Sequence, residues 1–324
     1  MLTYRATLRP RSATLSPWQA DTLFGQLCWL IRYEEGEAVL DEFLTPFRQG
    51  QPPLLFSNGF PADLLPRPQV PVRRENIPRN KTAQVSAMQA AKEGKAIRWI
   101  RMEEFNALRR GESPALQKHT ALEASKTVLK NQINRLTGGT TGLEEGEGGG
   151  NLYSLDELAF VDASEVNRVG LDVSVYVKAA DETWGRRAGD LLERLARSGY
   201  GKKKSSGYGH FKLEEWERYL GFDASPFEAN GFISLSNWVP AKNDPVQGFY
   251  TVLVKYGKLG EELANSENPF KYPLTMLTAG SSFYAAPPLG EWYGQLVEGI
   301  APADERVVQY GFAFAVPAQL AEEG

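Results

Sequence analysis

The residues best suited to chemistry lie together in one short segment. Residues 198–212 read SGYGKKKSSGYGHFK, which places four glycines around a lysine triplet and two serines, without an acidic side chain. Glycine lets the backbone adopt positive φ and approach a ligand closely, while lysines and exposed N–H groups supply positive charge. This segment, called the glycine loop below, is therefore typical of contact with a phosphate backbone.

The spacing within the glycine loop excludes two common phosphate sites. A P-loop has Gly, four residues and then Gly-Lys-Ser/Thr, but counting from Gly199 puts Lys204 where the second glycine should stand. The dinucleotide fingerprint Gly-x-Gly-x-x-Gly fails as well, because Lys204 and Lys212 occupy the third glycine position after the two Gly-Tyr-Gly runs. Two interpretations of the glycine loop remain. It either contacts nucleic acid or is a plain helix-to-strand connection with solvated lysines.

General acid–base catalysis would most readily use one of the two histidines, His119 and His210. Neither lies in a recognisable nucleophile motif. With one cysteine and no clustered His and Asp pattern, the sequence offers no specific metal site. We therefore expect no catalytic residue, no metal and no cofactor, and His210 is interpreted as a phosphate contact or a surface residue.

Charge is distributed unevenly along the chain. Its 324 residues, 42% of them hydrophobic, suffice for two packed modules, and the net charge is −4. From Arg67 to Arg101 there are nine basic residues and two acidic ones, whereas from Lys258 onward nine acidic residues outnumber three basic ones. A basic middle and an acidic end are compatible with a polyanion partner despite the negative total.

Cysteine usage and the absence of apolar runs indicate the compartment. Cys28 is the single cysteine and cannot form an internal disulfide, which favours a reducing compartment. The opening Met-Leu-Thr-Tyr-Arg lacks the apolar region of a signal peptide, and no stretch has the apolar length of a membrane span. The sequence predicts a cytoplasmic protein without a membrane partner.

Hydrophobic periodicity predicts the elements that must position the glycine loop. Alternation over 2–8 predicts a strand, and Ser16-Pro17 predicts the start of a helix that stops at Gly36. The other expected elements are a helix at 37–48, irregular extended chain at 52–71, a strand at 97–101, a helix at 102–110, a helix at 120–136, a mobile loop at 138–150, a strand at 169–177, a helix at 184–196 and a strand at 211–216.

The second half is predicted to consist of strands. Residues 232–238, 249–256, 273–278 and 307–316 are strand-like, and the composition shifts near residue 225. We therefore divide the chain into a first domain at 1–225 and a second at 226–324. If the strands and helices of the first domain close into one unit, it is an α+β module of the ferredoxin-like kind, with helices on one face of the sheet.

Several segments together resemble a known family. A glycine-rich loop before the last strand of a ferredoxin-like domain is similar to the hallmark of the RAMP superfamily of CRISPR proteins. Four further segments resemble the Csm subunit-four family of type III-A effector complexes, which is related to the Cas-five group. They are ADTLFGQLCW from Ala20, NQINRLT from Asn131 with Leu152-Tyr153 after it, PFKYPLTML from Pro269 and VQYGFAF from Val308.

The resemblance implies a fold and a role. The fold has two ferredoxin-like (RRM-like) modules and a thumb-like insertion, which would make part of 118–136 extended instead of helical. The role is that of a non-catalytic subunit that caps one end of the complex. It binds the repeat-derived 5′ handle of the guide RNA (crRNA), and it docks on the large polymerase-like subunit and on the adjacent backbone RAMP subunit.

The resemblance also implies the RNA contacts. The start of the first helix would meet the RNA backbone through its N–H groups and a hydroxyl, and the thumb would hold splayed nucleotides. Together with the glycine loop, the expected RNA-binding residues are Asp21, Thr22, Asn131, Arg135, Gly199, Gly201, Lys202, Lys203, Lys204, Ser205, Ser206, Gly207, Tyr208 and His210.

Two other functions stay open from the sequence. One is a RAMP-superfamily endoribonuclease that processes crRNA precursor with His119 or His210 as general base, although a whole module follows the glycine loop here. The other is an RNA-independent scaffold whose acidic C-terminal module is the partner surface. Within the loop, Tyr200 and Tyr208 either stack on bases or pack beneath the backbone.

Overall fold

The computed structural model describes most of the chain. The described residues are 1–70, 80, 94, 96–133, 139, 152–164, 170–222 and 228–321. The expected mobile loop at 138–150 (except Gly139), the candidate Arg135 and the expected domain boundary at 225 lie outside them.

The described residues form helices and mostly short strands. The helices are α1 (Ala20–Glu34), α2 (Glu37–Arg48), α3 (Met102–Arg109) and α4 (Glu182–Ser198). The strands are β1 (Leu2–Pro10), β2 (Leu54–Pro61), β3 (Leu64–Pro66), β4 (Trp99–Arg101), β5 (Ala121–Asn131), β6 (Leu152–Asp162), β7 (Val173–Ala179), β8 (Phe211–Arg218), β9 (Gly231–Ser234), β10 (Gly248–Phe249), β11 (Val252–Lys255), β12 (Leu274–Leu277), β13 (Ser282–Tyr284), β14 (Tyr293–Val297), β15 (Gln309–Ala313) and β16 (Ala315–Ala318).

Four strands of the first half form one antiparallel sheet. Their order across the sheet is β2-β7-β1-β8. The expected alternation in β1 is present, because Ala6 and Leu8 are fully buried in the core. The predicted strands at 97–101 and 211–216 and the predicted helices at 37–48, 102–110 and 184–196 are confirmed within a few residues.

The first helix starts later than predicted. It begins at Ala20, and the preceding Gln19 is extended at φ −115° and ψ 141°. Ser16 and Pro17 do not form the cap because the chain between them and the helix places the Trp18 ring against Tyr200, with centroids 4.1 Å apart. Packing of one aromatic side chain has therefore overridden a local capping pattern. The predicted stop near Gly36 is confirmed, since α1 ends at Glu34.

The proline-rich stretch 52–71 contains regular strands where we expected irregular chain. Strands β2 and β3 lie within it, and Pro61 and Pro66 are their last residues. Both strands lie at the edge of their sheets, where proline is tolerated because its nitrogen need not donate a ladder hydrogen bond. The prolines thus delimit strands here instead of preventing them.

The predicted helix at 120–136 is wrong. Residues 121–131 form β5, which pairs with β6 along its whole length from Ala121↔Asp162 to Asn131↔Leu152. Eleven residues per strand give a hairpin of roughly 36 Å at the usual rise per residue. Pairing with a distant strand has overridden helical propensity, and the extended insertion implied by the family resemblance is present.

The described residues 228–321 contain no α-helix. They form a sheet of order β10-β13-β9-β16 and the two-stranded sheets β11-β12 and β14-β15. The expected second ferredoxin-like module therefore lacks its own helical layer in these residues. The helices of the first half cover this region instead, because α1 packs on β15 and α2 packs on β14.

One hydrophobic core joins the two halves. The largest cluster of buried side chains includes Phe24 and Phe56 from the first half and Tyr310 and Phe314 from the second. Tyr310 lies 4.8 Å from Phe24 between ring centroids, and its hydroxyl accepts a hydrogen bond of 2.9 Å from the Phe56 backbone nitrogen. The position of the second half relative to the first is thus fixed by buried contacts.

Candidate nucleic-acid interface

The glycine loop connects α4 to β8 through a backbone that only glycine adopts readily. Gly199, Gly201, Gly207 and Gly209 all have φ between 69° and 89°. At Gly209 an added Cβ would lie 1.8 Å from the carbonyl oxygen of Tyr200. The two sides of the loop approach this closely because the Tyr200 nitrogen donates to the Gly209 oxygen at 2.8 Å. Glycine spacing in the sequence therefore reflects the path of the loop itself.

Both loop tyrosines pack beneath the backbone. Tyr200 is fully buried, and its hydroxyl donates to the Pro17 oxygen at 2.6 Å and accepts from the Gln19 nitrogen at 3.1 Å. Burial raises the pKa of this phenol well above its ordinary value. Tyr208 is 8% exposed, and its hydroxyl donates to Glu157 Oε1 at 2.9 Å. They support the loop from below and present no free ring for stacking on bases.

The three lysines of the loop lie in different environments. Lys202 is exposed. Lys203 Nζ lies 4.2 Å from the centroid of the Tyr153 ring on β6, which is a cation–π distance. Lys204 Nζ lies 2.8 Å from Glu261 Oε1 and donates to Gln26 Oε1 at 3.1 Å. Only the first two lysines of the triplet are thus available to a polyanion.

The remaining loop candidates face outward. Ser205 and Ser206 are exposed in a short 3₁₀ turn, and Gly207 has open space around the position of a Cβ. The His210 side chain is exposed, whereas its backbone nitrogen donates to Ser12 Oγ at 3.0 Å. The outer side of the loop therefore carries hydroxyls, a histidine and two cations without a carboxylate among them.

The β5-β6 hairpin flanks the loop. Its strand β6 is bridged to the segment that follows β1, at Thr14↔Leu158. Lys130 Nζ lies 5.8 Å from the Tyr208 ring, and Tyr153 keeps 39% of its surface exposed. We call Lys130, Tyr153, Lys202 and Lys203 together the loop–hairpin surface. Asn131 is exposed at the end of β5, so this candidate lies on the same hairpin.

The two candidates at the start of α1 are engaged within the protein. Asp21 is buried, and its carboxylate accepts hydrogen bonds from Lys255 Nζ and Gln309 Nε2. Lys255 Nζ also donates to Thr22 Oγ1 at 3.3 Å and to Gln19 Oε1 at 2.8 Å. An acidic group in the first turn stabilises the helix dipole, and here it also binds the second half of the chain. No pattern in the sequence indicated Lys255.

A hydrogen-bonded chain continues from Asp21 into the second half. Lys271 Nζ donates to Gln309 Oε1 and to the Val308 oxygen, both at 2.8 Å. Burial lowers the pKa of Lys271 to about 8, while the Asp21 carboxylate opposes this shift. Cys28 lies in the same region, and burial raises the pKa of its thiol to about 12, so the thiol stays protonated.

One histidine is largely buried beside a carboxylate, whereas the other is exposed in the glycine loop. His119 Nε2 lies 3.6 Å from Glu104 Oε2, and both side chains are largely buried. In the described part of the chain, no three His, Cys, Asp or Glu side chains come together as a metal-ligand set. Within the same residues, no helix has both the length and the apolar character of a membrane-spanning segment.

The fold of the whole chain is similar to that of several solved structures. No protein-family model and no curated protein sequence matches the chain. Among solved structures, a chain of the Csm1-Csm4 cassette in complex with cA4 matches with a TM-score of 0.62 and 15% identity, over 99% of this chain and 100% of that one. A chain of the Csm3-Csm4 subcomplex of the type III-A CRISPR-Cas interference complex matches with a TM-score of 0.61 and 12% identity, over 98% and 100%.

A third structure, the Csm1-Csm4 cassette with AMPPNP, matches with a TM-score of 0.59 and 16% identity over the full length of both chains. Csm4 is the subunit that these complexes share. The chain has the Csm4 fold. This agrees with the resemblance found in its sequence, and at such low identity the likeness concerns the fold.

Three of the four segments that resemble the Csm subunit-four family meet in the Csm4 fold. The first segment contributes Asp21, the third contributes Lys271 and the fourth contributes Gln309. The side chain of Gln309 is hydrogen-bonded to both of the others. Segments almost 290 residues apart in sequence are thus joined by one buried polar network. The buried position of Asp21 is therefore explained by its hydrogen bonds to the second half of the chain.

Proposed function

We propose that the protein is a non-catalytic subunit of a type III-A Csm effector complex that binds the 5′ handle of the crRNA. The observation that carries the proposal is the glycine loop, which presents Lys202 and Lys203 outward beside the β5-β6 hairpin of a Csm4-like fold. Phosphates would lie along the outer side of the loop, where cations and hydroxyls are available and the loop residues themselves carry no carboxylate.

The internal contacts divide the candidate residues into two roles. Lys202, Lys203, Ser205, Ser206 and His210 are the proposed direct contacts, because their side chains are exposed apart from the ring contact of Lys203. The glycines, Tyr208 and Lys204 shape and anchor the loop. Asp21 and Thr22 are proposed to position Lys255 at the start of α1, and Asn131 extends the contact region along the hairpin.

The first domain, at 1–225, is proposed to be a ferredoxin-like module. Its four main strands appear in the chain as β1, β2, β7 and β8 and lie in the sheet in the order second, third, first, fourth. Helices α1 and α4 precede the second and the fourth of them. This is the order of a split βαβ arrangement, and it places the glycine loop directly before the last strand.

The proposed protein partners are a large polymerase-like subunit and an adjacent backbone RAMP subunit in the cytoplasm. Structures of the same fold are those of Csm1-Csm4 and Csm3-Csm4 assemblies, which supports this choice. The second half, proposed as the C-terminal domain at 226–324, also exposes apolar side chains at Val252, Val254, Tyr256, Phe270 and Tyr272. Clusters of exposed apolar side chains of this kind mark protein-contact surfaces.

Co-purification tests the proposal. The protein would be expressed with candidate polymerase-like and backbone subunits and with a handle-bearing guide RNA, and the assembly would be isolated through a tag on this chain. We expect an extractable RNA that begins with the handle and ultraviolet cross-links between that RNA and residues 199–210. An assembly that carries guide RNA cross-linked to its other subunits, with none to this chain, would refute the RNA-binding role.

A further inference from the structure

Tyr153 is the exposed aromatic residue of the loop–hairpin surface. It is the second residue of β6 and keeps 39% of its surface exposed, whereas Tyr200 and Tyr208 are buried beneath the loop. Its strand partner is Lys130, and directly paired residues of an antiparallel ribbon point to the same face. Lys130 lies against Tyr208, so this face of the hairpin is the one that faces the glycine loop. The Tyr153 ring therefore lies on the side where the proposed RNA runs.

The ring of Tyr153 is contacted by a flexible side chain of the glycine loop. Lys203 Nζ lies 4.2 Å from the ring centroid, and the lysine is itself exposed, without an ion pair to a carboxylate of the described residues. Lys203 has φ 56° and ψ 37°, and within 198–212, all of which the structure describes, it is the only residue other than glycine with positive φ. A backbone conformation that is unfavourable for lysine is thus retained where the loop brings the ammonium over the ring.

A nucleotide can replace this contact with two stronger ones. An exposed cation–π contact is worth roughly 2- to 5-fold in a binding equilibrium, whereas stacking of a base on an aromatic ring is worth roughly 5- to 150-fold. A base that takes the place of the Lys203 ammonium over the ring also frees that ammonium for the phosphate of the same nucleotide. Aromatic rings beside a cationic groove are the usual combination in proteins that bind single-stranded nucleic acid.

We propose that Tyr153 is the base-stacking residue of the loop–hairpin surface, and that one unpaired base of the bound RNA replaces Lys203 over its ring. The inference rests on the proposed function, because it takes the RNA handle to run between the glycine loop and the hairpin. Every base presents a π-face, so Tyr153 contributes affinity and position and leaves base identity to other contacts. Lys203 then binds phosphate, as the proposed function requires.

Fluorescence of 2-aminopurine locates the stacked base. This adenine analogue is quenched by stacking, and it would be placed at successive single positions of a handle-bearing guide RNA in the complete complex. We expect one position at which the quenching is lost with Tyr153→Leu and retained with Tyr153→Phe, which keeps the ring. Tyr250→Leu removes a tyrosine of similar exposure, 45%, in the second half and should leave the fluorescence unchanged. Fluorescence that is insensitive to Tyr153→Leu at every position overturns the inference.

An abasic nucleotide at that position measures the contribution of the stack. In the unmodified complex the abasic RNA should bind roughly tenfold more weakly than the intact RNA. With Tyr153→Leu the two RNAs should bind equally, whereas Tyr153→Phe and Tyr250→Leu should preserve the difference. Lys203→Met removes the cation that competes for the ring, so it should weaken the binding of both RNAs while keeping or increasing the difference between them. If Tyr153→Leu weakens the intact and the abasic RNA by the same factor, the ring only orients Lys203 and the inference fails.

The outcomes separate this inference from the proposed function. If charge reversal at Lys202 and Lys203 weakens RNA binding but Tyr153→Leu changes neither the fluorescence nor the abasic difference, the loop binds phosphates and no base stacks on Tyr153. If the charge reversal leaves RNA binding unchanged and no position responds to Tyr153→Leu, both proposals fail together. Thermal unfolding of each variant complex checks that these replacements of exposed residues retain the fold.

Discussion

Lys204 in the glycine loop forms an ion pair with Glu261 in the second half of the chain, with Nζ and Oε1 2.8 Å apart. The side chains of Lys204 and Glu261 are 22% and 29% exposed, so the pair is largely withdrawn from solvent. The loop is thereby attached to the second half, and the lysine triplet that the sequence presents as uniform contains one structural cation. The three lysines are therefore expected to respond differently to substitution.

Two glycines of the loop provide a matched pair for its backbone. Gly209→Ala would place a Cβ 1.8 Å from the Tyr200 carbonyl oxygen at φ +69°, so the main chain must shift, and we expect a loss of more than about 2 kcal/mol in the free energy of unfolding. Gly207→Ala meets open space at φ +89° and should cost about 1 kcal/mol from backbone strain alone. Chemical denaturation compares them, and equal losses would contradict the observed path of the loop.

The buried pair between Asp21 and Lys255 is expected to couple the two halves. Lys255→Met leaves the Asp21 carboxylate, which is 2% exposed, without its cation, and should lower the free energy of unfolding by about 3–5 kcal/mol. Adding Asp21→Asn should restore part of this loss, because the remaining group is neutral. Lys242→Met at an exposed position is the control. A double variant that is less stable than Lys255→Met would contradict the assignment of Asp21 and Lys255 as a buried ion pair.

Lys271 gives a prediction for pH dependence. Burial lowers its pKa from the ordinary 10.5 to about 8, so between these values the unfolded chain holds a proton that the folded chain has lost. The contribution of Lys271 to the free energy of unfolding therefore rises as pH increases from about 8 to 10.5. The stability difference between the unmodified protein and Lys271→Met should grow in favour of the unmodified protein over this range. A stability difference that is constant with pH would contradict the lowered pKa of Lys271.

The sequence predicted local features well and long-range ones poorly. Periodicity located α2, α4 and β8 because each buries one face along its own length. The helix expected at 120–136 failed because the partner strand that stabilises β5 lies some 20 to 40 residues later, beyond any local pattern. Family resemblance, which carries three-dimensional information, implied the hairpin correctly.

In the candidate site, too, local features could be predicted from the sequence and long-range contacts could not. Glycine spacing and the lysine run indicated the loop, since turns with positive φ leave a direct trace in sequence. The partners that decide which residues are free, namely Glu261 for Lys204 and Lys255 for Asp21, come from the second half through tertiary packing. Their identities could not be read from the spacing of the first half.

Absence of ribonuclease activity is a further prediction. His119 Nε2 lies 3.6 Å from Glu104 Oε2 with both side chains largely buried, and His210 is a single exposed histidine in the loop. Incubation of the pure protein with repeat-containing precursor RNA should therefore give no specific cleavage, and the His119→Ala and His210→Ala variants should behave like the unmodified protein. Specific cleavage that disappears in either variant would favour the processing function instead.

The most direct test of the central claim is the binding of handle-bearing RNA by complexes with a charge-reversed loop. Lys202→Glu combined with Lys203→Glu should weaken binding at moderate salt and reduce the slope of log K against log salt by about 0.7 for each phosphate that the loop no longer neutralises. Lys242→Glu, in the exposed part of the second half, should leave both quantities unchanged. Unchanged handle binding and an unchanged salt slope in the double loop variant would contradict the account.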